Sequence, residues 1–204
     1  MKKENNLVWQ KSLVIPEQRA RILRQKPITL WLTGLSGSGK STIAFELEKE
    51  LLSQNKLAFV LDGDNLRHGL CKDLGFTGTD RSENIRRVAE VSRLMNDSGL
   101  IVISAFISPL QKDRDLAREI IKPSRFREVY ISTSLEVCEK RDVKGLYKKA
   151  REGVLDNFTG ISSPYEKPVS PDFIFDTSAI SISECTKKLL EHINMHSKDF
   201  WPIN

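Results

Sequence analysis

Five short apolar runs recur along the chain, each followed or preceded by a helical pattern. Ile28 to Thr33, Lys56 to Leu61, Leu100 to Ala105, Arg127 to Ile131 and Asp172 to Asp176 read as buried strands. Between them, Ile43, Ala44, Leu47 and Leu51 form one helical stripe and Ile85, Val88, Ala89, Ser92 and Met95 a second. Leu116 and Ile120 belong to a third, and Ile182, Cys185, Leu189 and Ile193 to a fourth. Strands alternating with helices predict an α/β fold, a parallel sheet with helices on both faces. In such sheets ligands sit beyond the carboxyl ends of the strands, so the residues there are the ones to inspect. Pro16 to Arg24 reads as a helix with proline at its first position, and residues 1–26 as an N-terminal arm ahead of one domain spanning 27–204. Gly153 to Pro171, with three prolines, reads as a long surface loop.

The link between the first strand and its helix carries the first chemistry. Gly34-Leu35-Ser36-Gly37-Ser38-Gly39-Lys40-Ser41-Thr42 fits G-x-x-x-x-G-K-[ST], the P-loop pattern. Glycines let the backbone approach phosphate oxygens closely, so that amide donors converge on an anion at a helix N-terminus. Lys40 is then expected to reach the β- and γ-phosphates of ATP, and the Ser41 hydroxyl to ligate the Mg²⁺ that travels with it. A strand before the loop and a helix after it are the context the motif demands.

Composition narrows the class without naming it. A chain of 204 residues suits one well-buried catalytic domain. No apolar run approaches the roughly 18 residues of a membrane span, and no signal-peptide core follows the first residues, so a soluble cytoplasmic protein is expected. Cys71, Cys138 and Cys185 lie far apart, which argues against a disulfide framework and a zinc site. His192 and His196, four apart on the last helix, are expected to face solvent. The net charge of +5 is compatible with nucleic acid or with a small anion. Lys140, Arg141, Lys144, Lys148, Lys149 and Arg151 cluster without an RNA-binding signature, which favours the small anion over nucleic acid.

The second strand ends in Leu61-Asp62-Gly63-Asp64-Asn65-Leu66-Arg67. Two carboxylates across a glycine, beside a P-loop, are placed for Mg²⁺ or for orienting an attacking hydroxyl. Arg81, Asn84 and Arg87 follow at the start of the next helix, and a guanidinium fork suits bidentate phosphate or sulfate contact. Ala105-Phe-Ile107-Ser108-Pro109 closes the third strand with a turn able to face a ligand.

GLSGSGKST, DGDNLRHGL, DLGF with DRSENIRRVAEV, AFISP, LEVCEKRD, KGLYKKAR and FTGISSPYE, in that order, resemble the adenylylsulfate kinases. The resemblance runs from Leu7 almost to the C-terminus. It implies a P-loop kinase fold and transfer of a phosphoryl group from MgATP to the 3′-hydroxyl of adenosine 5′-phosphosulfate (APS), giving PAPS and ADP. Matched by position, Asp64 would handle Mg²⁺ and the acceptor hydroxyl with Asp62 in support. Arg67, Arg81 and Asn84 would hold the phosphosulfate and ribose, with Ile107 and Ser108 lining that site. Phe76 and Phe158 would clamp the APS adenine. Lys144 and Lys149 would belong to a lid, about 141–163, that closes over the anions, and Arg141 would cover the ATP base. The resemblance also implies a homodimer, and an ATP sulfurylase on a separate chain.

Two segments depart from the family pattern: Asp142-Val143-Lys144 stands for D-P-K, and Leu7-Val-Trp-Gln10 for a segment that often carries Trp-His. Rival classes fit less well. A GTPase needs a late N-K-x-D, which Asn55-Lys56-Leu-Ala58 does not supply. A nucleoside monophosphate or gluconate kinase gives no reason for DGDNLRHGL or FTGI, and a non-catalytic nucleotide-binding module none for Lys40, Ser41, Asp62 and Asp64 together.

Overall fold

A five-stranded, all-parallel sheet in the order β2-β3-β1-β4-β5 organises the chain. The computed structural model describes residue 8 and residues 10–198. The strands are β1 (Thr29–Thr33), β2 (Ala58–Asp62), β3 (Ile101–Ala105), β4 (Phe126–Ile131) and β5 (Phe173–Phe175). All five lie where the apolar runs predict them. The main helices are α1 (Pro16–Leu23), α2 (Lys40–Ser53), α3 (Gly63–Arg67), α4 (Gly78–Asp97), α5 (Gln111–Ile121), α6 (Leu135–Arg141), α7 (Leu146–Arg151) and α8 (Ile182–Lys198).

Each central strand is buried on both faces, so its alternate residues feed two cores. Leu30, Leu32, Ile101, Ile103, Val129 and Ile131 meet Ile43, Leu47 and Leu51 of α2 and Cys185, Leu189 and Ile193 of α8. On the other face Trp31, Val102 and Phe126 meet Ile85, Val88 and Ala89 of α4 and Ala117 and Ile121 of α5. Trp31 stacks between Phe106 and Phe126 at 5.9 and 5.8 Å.

Of the expected stripe on α5, Ile120 packs against this second core while Leu116 does not. Leu116 is exposed, and the buried face is Asp113, Arg114, Ala117 and Ile121. Hydropathy misses that face because half of it is charged: the Arg114 guanidinium, 1 % exposed, donates to Glu128 of β4 at 2.8 Å. At the edge of the sheet, β2 is not left bare, since the Val60 amide donates to the Glu48 carboxylate of α2 at 2.8 Å. The helix at Pro16 docks by Ala20, which is buried, and Gln25 after it donates to the carbonyls of Leu57 and Gly99 at 2.8 Å each. Of the departing segment at 7–10, Leu7 and Trp9 lie outside the described residues.

Candidate active site

The loop between β1 and α2 has the backbone that the glycines were expected to allow. Gly34 has φ +148°, and a Cβ there would sit 2.5 Å from the Ile131 carbonyl oxygen; Gly39 has φ +105° and caps α2. The loop's carbonyl oxygens are taken up by side chains. Tyr147 of α7 donates to Ser36 O at 2.9 Å, Thr177 to Ser38 O at 2.8 Å, and Arg141 to Gly37 O at 3.3 Å. Carbonyls held this way do not face an incoming anion, which is what a phosphate cradle requires. Lys40 folds back onto Leu35 O at 2.7 Å. Burial lowers its pKa to about 8, with Lys144 adding to the depression while Cys138, Asp62 and Asp64 oppose it.

One step from Lys40, the Ser41 hydroxyl donates to Asp62 Oδ2 at 2.7 Å. Asp62 closes β2 and caps α3, its Oδ1 accepting from the amides of Asp64 and Asn65 at 3.0 and 3.3 Å. Asp64 points the other way: its carboxylate is exposed and pairs with the Lys144 ammonium. The carboxylate beside the P-loop hydroxyl is therefore Asp62, while Asp64 reaches toward the segment after α6.

A cleft of ≈ 270 Å³ runs from Gly39, Lys40 and Ser41 past Asp62 and Asp64 to Arg67, Phe76, Arg81 and Asn84. Arg67 spans the carbonyls of Leu74 and Gly75 at 3.1 and 2.9 Å and lies 4.2 Å over the Phe76 ring. Phe76 is 59 % exposed, too open for a core residue. Burial and the neighbouring Arg67 both push the Arg81 guanidinium below its ordinary value, so an anion between the two arginines would relieve the repulsion. The Asn84 side-chain oxygen is buried with no hydrogen-bond partner in the protein.

Ile107 and Ser108 also border the cleft. Ser108 has φ +38° and is 2 % exposed, and its hydroxyl accepts from Trp31 Nε1 at 3.2 Å. A hydroxyl committed to the core is a poor nucleophile or ligand contact.

Two of the expected substrate-binding residues do not line the cleft, and neither does Arg141, expected over the ATP base. Lys149 is exposed on α7, and Phe158 stacks edge-on against Tyr147 at 5.0 Å, half-buried near the P-loop tip. Arg81 nevertheless ties the two phenylalanine segments together, donating to Phe76 O at 3.0 Å, Thr159 Oγ1 at 3.0 Å and Asn157 O at 2.6 Å. Asp142, just before Val143, has φ +25°, and its carboxylate accepts from the amides of Tyr147 and Lys148 at 3.0 Å each, capping α7.

Thr177 and Thr133 had no local motif to announce them, and Tyr147, inside KGLYKKAR, was not singled out there. Arg141 donates to Thr177 Oγ1 at 2.8 Å and Thr177 O at 3.0 Å, and Thr133 Oγ1 lies 2.8 Å from Thr177 Oγ1. These contacts join α6, the end of β5 and the P-loop. The three cysteines are buried free thiols. The histidines on α8 do not face solvent: the two rings lie 4.3 Å apart, His192 packs edge-on against Phe173 at 5.1 Å, and His196 Nε2 lies 2.9 Å from Arg127 Nη2. Among the described residues, no helix is long and apolar enough to cross a membrane.

Comparison with known proteins identifies the family. The family described as adenylylsulphate kinase matches residues 26–176. The adenylyl-sulfate kinase of Acaryochloris marina is 52 % identical over 191 residues, covering 94 % of this chain and 93 % of its own. That of Oceanobacillus iheyensis is 52 % identical over 193 residues, covering 95 % and 97 %. Among solved structures, the Mycobacterium tuberculosis APS kinase CysC in complex with AMPPNP and APS superposes with a TM-score of 0.79 at 47 % identity, over 82 % of this chain and 97 % of that one. A gluconokinase from Sinorhizobium meliloti shares the fold at 18 % identity and a TM-score of 0.54. The P-loop, the paired aspartates, the two arginines facing one cleft and this level of identity place the chain in the adenylylsulfate kinase family.

Proposed function

We propose that this chain transfers the γ-phosphoryl group of ATP to the 3′-hydroxyl of APS in the cleft between Lys40 and Arg81. The observation that carries the reading is the division of that cleft: a P-loop with Lys40 and Ser41 at one end, Arg67, Arg81 and Asn84 at the other, and Asp64 between them.

The P-loop amides and Lys40 hold the polyphosphate, and Arg141, braced on Thr177, covers the ATP base. Arg67 and Arg81 take the phosphosulfate, relieving their mutual repulsion. Asn84 supplies polar contact to the acceptor, and Phe76 offers an open ring face to the adenine. Phe158 joins it when the segment 141–163 closes as a lid. Asp64 accepts the hydrogen bond of the attacking hydroxyl and orients it in line with the γ-phosphorus. Its present partner Lys144 then becomes free to neutralise charge on the transferred group. Closure excludes water, which suppresses transfer to water in place of the acceptor.

The donor set also suits Mg²⁺. Ser41 Oγ and the Asp62 carboxylate are hard oxygen donors 2.7 Å apart at the P-loop rim. Ser41 and Asp62 would hold the ion together with phosphate oxygens of the nucleotide, and it would supply charge neutralisation at those phosphates.

ADP release measured with APS, AMP, GMP and gluconate as rival acceptors tests the reading. APS-dependent turnover is expected; faster turnover with AMP or gluconate overturns it. A homodimer and a separate ATP sulfurylase belong to the same proposal, and sedimentation of the purified chain checks the first.

A further inference from the structure

On the side of the cleft away from the P-loop, a buried arginine joins four segments that the chemistry above leaves unconnected. Arg114 of α5 donates from Nε to Glu128 of β4 at 2.8 Å and from Nη1 to the Ser108 carbonyl at 2.7 Å. From Nη2 it reaches Gln111 Oε1 at 2.7 Å and the Glu166 carbonyl at 2.8 Å. Glu166 lies just past the proposed lid and is held to the same turn twice more. Its amide donates to Pro109 O at 2.8 Å, and its carboxylate accepts from the Gln111 amide at 2.6 Å. One residue earlier, the Tyr165 hydroxyl lies 2.9 Å from Thr33 Oγ1, which itself donates to Ile107 O at 2.7 Å. The turn that borders the acceptor end of the cleft and the returning end of the lid are therefore one hydrogen-bonded body.

A buried guanidinium costs desolvation that its ion pair with Glu128 only partly offsets, and a hydrophobic pair of similar volume would serve stability as well. What such a pair would lack is the two further hydrogen bonds that hold the carbonyls of Ser108, at φ +38°, and of Glu166. We propose that Arg114 is a positioning residue for the acceptor: it sets the Ile107–Ser108 turn and anchors the lid's return at Glu166, so that the APS end of the cleft is shaped before substrate arrives. The inference rests on the APS kinase reading. It locates the lid's fixed hinge at Tyr165–Glu166 and leaves the ATP end untouched, because none of Arg114's own contacts involves the P-loop.

The test replaces the buried pair as a unit, Arg114→Met with Glu128→Met, so that neither charge is left without the other, and Arg118, which also reaches Glu128 at 3.4 Å, keeps Asp172 at 3.8 Å. Steady-state kinetics with varied APS, nucleotide binding without APS, and ADP release in the absence of acceptor are compared with the unaltered chain. The KM for APS should rise about tenfold or more, since small misplacements of positioning groups carry costs of that order. Nucleotide affinity should stay within about twofold, and acceptor-independent ADP release should grow relative to APS-dependent turnover. An unchanged KM for APS in the folded double variant overturns the inference. So does a parallel loss of nucleotide affinity, which would mark Arg114 as generally structural. If the double variant does not fold, Arg114→Lys decides: a rise confined to the KM for APS supports the role, and an unchanged KM overturns it. Failure of the unaltered chain to turn over APS would instead sink the parent reading.

Discussion

The Ser41 hydroxyl donates to Asp62 Oδ2 across 2.7 Å, joining the first turn of α2 to the last residue of β2, while Asp64 two residues on faces Lys144. The two aspartates of one short motif therefore have different neighbours, and their amides should fail differently. Asp64→Asn should lower kcat by about 10²–10⁴-fold, the usual range for removing a group that handles the acceptor proton, with little change in the Mg²⁺ concentration needed for half activity. Asp62→Asn should raise that Mg²⁺ requirement, because it weakens the oxygen set around Ser41. A Mg²⁺ titration of both variants checks this; the same Mg²⁺ dependence in each would return the metal-side role to Asp64.

Much of this site is legible in the sequence because its determinants are local. Gly34 has φ +148°, a conformation that L side chains rarely adopt, and the glycine that allows it is written in the loop itself. Strands buried on both faces show as plain apolar runs, so β1, β3 and β4 could be read directly, and the edge strands β2 and β5 could be read because their exposed positions, Phe59 and Ile174, are themselves apolar. Thr177 could not be read, for its role exists only where the end of β5 meets the P-loop and α6. The charged half of the α5 face was missed for a related reason: Arg114 counts as a surface residue until Glu128, from another strand, lies beside it. His192 and His196 looked solvent-facing because their helical spacing says nothing of Phe173 and Arg127.

The phenylalanines should separate by burial. Phe76, exposed beside Arg67, should lose about 1–3 kcal/mol of APS binding on truncation to alanine, the cost of one base–aromatic stack, with an unaltered melting temperature. Phe158 packs against Tyr147, whose hydroxyl braces Ser36, so Phe158→Ala should weaken APS binding and also loosen the P-loop tip. Titrations of APS and ATP alongside thermal melts distinguish the two. Unchanged APS affinity in Phe76→Ala would remove that ring from the site.

Acid should loosen the α8 edge of the sheet. Burial holds the His192 pKa down to about 4 from 6.5, with His196 and Arg127 lowering it further and Asp172 opposing them. Between these values the unfolded chain binds a proton that the folded chain refuses, so this group makes stability fall as pH drops from about 6.5 to about 4. His192→Phe keeps a ring against Phe173 and removes the titration, and should flatten the melting temperature across that window. An identical acid limb in the variant would show that other groups govern it.

Lys40 titrates in the opposite part of the scale, and its linkage is to nucleotide. Its pKa of about 8, lowered from 10.5 mainly by burial, leaves a large neutral fraction in the ligand-free chain at pH 8.5. Over the interval from about 8 to 10.5 the unfolded chain holds the extra proton, so in the free protein this group adds stability as pH rises. Nucleotide reverses the preference. The anionic β- and γ-phosphates stabilise the ammonium and raise its pKa in the complex, so binding at pH 8.5 must draw a proton from buffer, roughly half a proton or more. The affinity for ATP should accordingly decline as pH climbs past about 8. Calorimetric titration in two buffers of different ionisation enthalpy measures the uptake, and Lys40→Met should abolish it along with much of the affinity. Binding enthalpies that do not depend on the buffer at pH 8.5 would mean that Lys40 is already fully charged in the free enzyme.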